Sequence, residues 1–227
     1  MVGGSSAARA PSTGTLPSMI RAGDIMIKHR HGLGMTGVAI QIGQVFSKGK
    51  SKFIHAGIAC SPTEIIEMSG DGLHRNSLTG GNAIYTYDVF RCGLSDIRAG
   101  AAETAIMLYE GVRAGGFDLP YTIKGAVKSL GRGTAVSSQD RINIALDNLL
   151  AGGSNAFFCS GHVVYCYLVA MEQANLAVQG SFPLQSMQGM FGYESISYNP
   201  SYLHDHLSKN SNFGFMGTFQ GCRFLRL

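Results

Sequence analysis

The stretch that most constrains this chain is Phe157-Phe158-Cys159-Ser160-Gly161-His162-Val163-Val164-Tyr165-Cys166-Tyr167-Leu168-Val169-Ala170-Met171. It follows a Gly/Ser/Asn segment, Gly152 to Asn155. Val164, Leu168 and Met171 recur at helical spacing, which predicts a helix with one buried apolar stripe. Cys159 then falls in the first turn. There the unpaired backbone N–H groups and the positive end of the macrodipole favour thiolate over thiol. A cysteine so placed is either a nucleophile or a small buried apolar residue, since free cysteines are among the most buried side chains. The helix alone does not choose; a partner would.

A thiolate nucleophile needs a base to take its proton and a third polar group to orient that base. His55 is the best base, standing in Ile54-His55-Ala56-Gly57-Ile58 where a core strand would otherwise hold an apolar residue. The small residues after it let another chain segment approach. Glu67 is the matching orienter, twelve residues on in Ile66-Glu67-Met68. If the two strands form a hairpin around Ser61-Pro62, residues 55 and 67 fall nearly opposite, within ~5 Å on one face. Glu64 competes but lies nearer the turn. The bland alternatives are a histidine satisfied by a neighbouring carbonyl and an exposed edge glutamate. His162 is a rival base, but three residues from Cys159 on one helix it suits a packing or cleft-wall role better.

Composition narrows the classes. With 227 residues and 45% hydrophobic content, the chain can bury a sizeable core as one domain. A net charge of +4, scattered basic residues and no tryptophan give nucleic-acid binding little support. Five widely spread cysteines, Cys60, Cys92, Cys159, Cys166 and Cys222, form neither a disulfide framework nor a zinc ribbon. His29-Arg30-His31 and His204-Asp205-His206 are alternating histidine pairs without a convincing third ligand, so solvated or substrate-facing histidines are expected and no metal. No cofactor is required. Residues 1–15 lack the apolar run of a secretory signal, and no stretch reaches the ~18 apolar residues of a membrane span. Synthesis as a soluble cytoplasmic protein without a stable membrane anchor is expected.

Along the chain, residues 1–16 read as a disordered tail and 17–227 as a single domain. Strands are expected near 25–27, 53–60, 64–68, 83–91, 213–219 and 222–227, the last two broken at Gly221. Helices are expected over 36–47, 95–114, 136–150, the Cys159 segment and 200–208. Strands and helices in separate groups predict an α+β fold.

Gly23-Asp24-Ile25, His55-Ala56-Gly57-Ile58, Ile65-Ile66-Glu67, Val89-Phe90-Arg91 and Phe158-Cys159-Ser160 occur in one order. That order resembles circularly permuted NlpC-like (YiiX-like) hydrolases, papain-fold proteins with lecithin retinol acyltransferase as a distant relative. The resemblance covers roughly residues 20–210. It implies an antiparallel sheet packed on helices, with the nucleophile at a helix N-terminus and a Cys159–His55–Glu67 triad. It also implies an oxyanion site built on the Cys159 N–H, a turn or strand-start role for Asp24 and a structural role for Arg91. Tyr121 and His162 would line the substrate cleft. After Cys159-Ser160 stands Gly161-His162, where relatives commonly carry a glutamate and an aliphatic residue.

The activity implied is hydrolysis of an amide bond, with peptidoglycan peptides as substrate. A chain of this size without a wall-anchoring repeat resembles a type VI secretion amidase effector, acting in the periplasm of a target cell, with secretion machinery and an immunity protein as partners. Two alternatives remain. One is a lipid acyltransferase or thioesterase, with the methionine-rich segment Leu184 to Phe191 facing an acyl chain. The other is a non-catalytic papain-fold binding module.

Overall fold

The computed structural model describes residues 19–30, 52–69, 72–114, 158–177, 190–191 and 198–227. The tail at 1–16, the helices expected at 36–47 and 136–150, Tyr121 and His31 lie outside the described residues.

The described chain is α+β. Its strands are β1 (Ile25–His29), β2 (Phe53–Ser61), β3 (Glu64–Ser69), β4 (Gly72–Ser77), β5 (Thr86–Cys92), β6 (Phe213–Gln220) and β7 (Arg223–Arg226). They form one antiparallel sheet in the order β4-β3-β2-β1-β5-β6-β7. Three helices accompany it: α1 (Ser95–Arg113), α2 (Phe158–Ala177) and α3 (Pro200–Lys209).

Alternation along the strands sorts side chains onto two faces. Ile25, Ile27, Ala56, Ile58, Phe90 and Cys92 face α1, α2 and α3 in the larger core. Met26, Ala59, Ile65, Tyr87, Val89 and Phe219 form a smaller cluster on the opposite face. The cross-strand partners Lys28, His55 and Tyr87 share that second face, as does Glu67 two residues from Ile65.

α2 departs from the single stripe read in its sequence. Every residue from Val163 to Met171 is buried, so the helix is enclosed on all sides. Against it α1 presents small residues: a Cβ on Gly100 would sit 3.1 Å from Ala170 Cβ, so the two helices meet backbone to backbone there. α3 opens as its Asn-Pro start predicts, with the Asn199 side chain accepting a 2.9 Å hydrogen bond from Tyr202 N and Pro200 in the first turn.

The start of β1 is fixed by a turn and an ion pair. Gly23 has φ +85°, and a Cβ there would collide with the Arg98 carbonyl oxygen, so only glycine fits. Asp24, fully buried, accepts from Arg21 N at 2.8 Å and from the Arg91 guanidinium at 2.8 and 2.6 Å. The Tyr167 hydroxyl of α2 donates to Gly23 O at 2.6 Å. β1, β5 and α2 are thereby locked at one point.

Two differences from the sequence reading concern strands. The strand expected from residue 83 begins at Thr86, because residues 78–84 form turns. β4, Gly-Leu-His-Arg-Asn-Ser, was not expected at all. It is a polar edge strand without β-branched residues, and its pairing with β3 rather than its own propensity makes it a strand.

Candidate functional site: a buried thiol, an imidazole and a carboxylate

Cys159 is the second residue of α2 and is 4% exposed. The β2–β3 register explains what it meets. The pairing ends at Gly57↔Glu67, while β2 runs on to Phe53. Ala59 N donates to Asp24 O, so its N–H points at β1. By alternation the Ala56 N–H points the other way, towards β3, just past the last paired residue. That N–H donates to the Cys159 sulfur. The start of α2 therefore sits where the sheet opens between β2 and β3.

The same register revises how His55 and Glu67 meet. Glu67 lies opposite Gly57 rather than opposite His55, which is its diagonal neighbour on the same face. Glu67 Oε2 lies 3.2 Å from His55 Nε2, an ion-pair contact off the line of an ideal hydrogen bond. Gly57 makes the diagonal reach available. A Cβ there would stand 2.8 Å from both Ile65 Cδ1 and the Ile66 carbonyl oxygen. The other Glu67 oxygen, Oε1, accepts from Asn82 Nδ2 at 2.7 Å and Asn76 Nδ2 at 2.8 Å. The carboxylate is thus aimed from behind by two amides.

Besides its contact with Glu67, the His55 imidazole is hydrogen-bonded to the Cys159 side chain. Burial alone would push the His55 imidazole down. The charge of Cys159 and hydrogen bonds to Cys159 and Glu67 overcome it and raise the imidazole to about 10. Burial likewise pushes the Cys159 thiol up, but the His55 charge and hydrogen bond, the Ser160 hydroxyl at 3.7 Å and the Ala56 N–H bring it below its ordinary value. Glu67 is desolvated too, yet His55, Lys28 and Asn82 hold it well below the usual carboxylate range. These directions favour a thiolate–imidazolium pair backed by a carboxylate over a neutral pair.

The other residues singled out in the sequence go elsewhere. Glu64 forms a two-point pair with Arg75, at 2.7 and 3.2 Å, and takes no part in orienting His55. His162 is fully buried one turn along α2, its Nε2 3.5 Å from Cys166 Sγ. Burial, then the His55 charge, push it down to about 4, so it is neutral. His29 and His204 both turn Nε2 onto Asp88, at 2.8 and 3.0 Å, and His204 stacks on Phe53 at 4.0 Å. His206 Nε2 lies 2.6 Å from the Met190 carbonyl oxygen. These three histidines are tied into the fold rather than solvated. Among the described residues no group of three His, Cys, Asp or Glu is arranged to hold a metal ion, and no helix is long and apolar enough to cross a membrane. Met190 and Phe191, the described end of the methionine-rich segment, are buried in the helix-side core.

Four contributors escaped the sequence reading: Asn76, Asn82, Lys28 and the Ala56 N–H. Asn82 stands in Gly80-Gly81-Asn82, which reads as a turn, and Asn76 lies in the unexpected β4. Neither has a local signal, because both act across the sheet.

No family model matches this chain, and no curated protein or solved structure matches it either. What fold and site define together is an α+β protein with a cysteine at a buried helix start, in contact with a histidine that a glutamate orients.

Proposed function

We propose that the chain is a cysteine hydrolase of the papain-like, permuted NlpC-like kind, cleaving an amide bond in peptidoglycan peptides. The observation that carries this reading is the hydrogen-bonded contact of Cys159 with His55, itself backed by Glu67. A merely structural buried cysteine needs no ionised base, and Cys166 illustrates the contrast: its histidine neighbour His162 is itself held neutral by burial, and burial drives the Cys166 thiol well up.

In the proposed reaction the Cys159 thiolate attacks the amide carbonyl and a C–S bond forms. The oxyanion draws on the Cys159 backbone N–H in the first turn of α2. His55 gives its proton to the leaving nitrogen as the C–N bond breaks, leaving a thioester. It then takes a proton from water, which attacks the thioester and releases the acid. Glu67, with Asn76 and Asn82 behind it, keeps the imidazole in one orientation throughout. Delivery by a secretion machine into a target cell's periplasm, with an immunity protein as partner, belongs to the same proposal and rests on the resemblance of the sequence alone.

Purified peptidoglycan digested with the wild type and with Cys159→Ala, and analysed by mass, tests the activity. New peptide fragments with freed amines from the wild type only would support it. Intact material from both would remove peptidoglycan as the substrate. Acyl transfer from a phospholipid would favour the acyltransferase reading instead.

A further inference from the structure

Among the described residues, Lys28 is the one ammonium in the row of side chains that holds the site. It is the direct cross-strand partner of His55 on β2 and of Tyr87 on β5, so the three stand side by side on one face. Its Nζ lies 3.6 Å from the Tyr85 ring centroid and 5.8 Å from that of Tyr87. Lysine side chains on sheets ordinarily extend into water; this one is half-buried and laid on two aromatic rings. The groups facing it are His55 from β2, Glu67 from β3, Cys159 from α2, and Tyr85 and Tyr87. Among the described residues it makes no ion pair. Glu67, the nearest candidate, has Oε1 taken by two asparagines and Oε2 turned to His55. A ring face satisfies a cation electrostatically but accepts few of its three N–H donors. An ammonium so confined, with donors to spare, is suited to receive an anion from outside the chain.

We propose that Lys28 is the anion-recognition residue of this site, fixed beside His55 by the β1–β2 register and docking a carboxylate that the substrate carries next to the scissile amide. This rests on the hydrolase reading for the word substrate, but not for the charge recognition itself. The substrate class it selects is an acidic peptide amide rather than a neutral one. Lys28 would position the substrate and take no proton.

The test compares alkylation of Cys159 by iodoacetate and by iodoacetamide in the full chain, followed by peptide mapping at that cysteine. In both reactions the sulfur forms a C–S bond and iodide leaves; comparing the rate ratio between variants cancels the reagents' different intrinsic reactivities and leaves the effect of charge. Wild type and Lys28→Arg should share one iodoacetate-to-iodoacetamide rate ratio. Lys28→Met should lower that ratio about tenfold, the size expected for one unit charge near the reacting atoms of a half-buried site. A ratio unchanged in Lys28→Met, or both reagents slowed equally, would overturn the proposal. Should the wild type cleave peptide amides, Lys28→Met should raise KM more for a substrate with a carboxylate beside the bond than for its carboxamide analogue. Failure to cleave any peptide would sink the hydrolase reading while the alkylation ratio still decides the role of Lys28.

Discussion

Replacing Glu67 by glutamine removes one charge and keeps the shape. The Oε1 side can still accept from Asn76 and Asn82, whose amides lie 2.8 and 2.7 Å away. The atom facing His55 becomes an N–H donor, so the imidazole must present a bare Nε2 to it and carry its proton on the nitrogen facing Cys159. That tautomer cannot act as a base towards the thiol. At the observed 3.2 Å, with an effective dielectric constant of about 20–40, the lost attraction is roughly 3–5 kcal/mol. The glutamine dipole recovers part of it, leaving an expected fall in thiol reactivity at neutral pH of about 10²–10³-fold. Because Glu67 stabilises the imidazolium that in turn stabilises the thiolate, the low-pH limb of reactivity should also move up, by about one pH unit or more. The assay is the rate of iodoacetamide alkylation at Cys159 between pH 4 and 9 for wild type and Glu67→Gln. An unchanged rate and an unmoved limb would refute the claim that Glu67 acts through His55.

Cys159→Ala should abolish the proposed hydrolysis yet leave the far-ultraviolet circular dichroism unchanged. Arg91→Met strips the partner from fully buried Asp24 and should destabilise the chain by about 3–5 kcal/mol in urea unfolding, with little direct effect on the thiol. Gly57→Leu forces β3 away from β2 at the Glu67 position; a loss of about 1–3 kcal/mol together with slowed alkylation is expected, and unaltered alkylation would count against the diagonal pairing. Acid stability gives a sign test. Glu67 is held below its unfolded value of about 4.3, so its contribution is present above that pH and is lost as pH falls through the lower folded value. The wild-type melting temperature should therefore drop more steeply below about pH 4.5 than that of Glu67→Gln.

Legibility in the sequence followed the range of the interactions. α1, α2, α3 and most strands announced themselves through apolar spacing and through local punctuation such as Asn199-Pro200 and Gly221. The association of His55 with Glu67 was legible because two short apolar runs around Ser61-Pro62 can only form a hairpin. Its register was not, since the turn falls at Pro62-Thr63, with Ser61 opposite Glu64, and the irregularity between Ala59 and Ser61 moves the pairing by one more residue, which leaves Glu67 opposite Gly57. The full enclosure of α2 was hidden because a mix of Ser160, His162 and tyrosines lowers its apparent apolarity, although all are buried. The histidine pairs misled in the opposite direction. His29 and His204, 175 residues apart in the chain (204 − 29), converge on Asp88, a contact that neither pair's local sequence encodes.

The ionisation of the Cys159 thiol decides whether the site can act as proposed. Absorbance of thiolate near 240 nm, titrated from pH 3 to 10 as the difference between wild type and Cys159→Ala, reads it without a substrate. A step well below the ordinary thiol value of about 8.5 is predicted, moving upward in His55→Ala. A step at or above that value, indifferent to His55, would contradict the account.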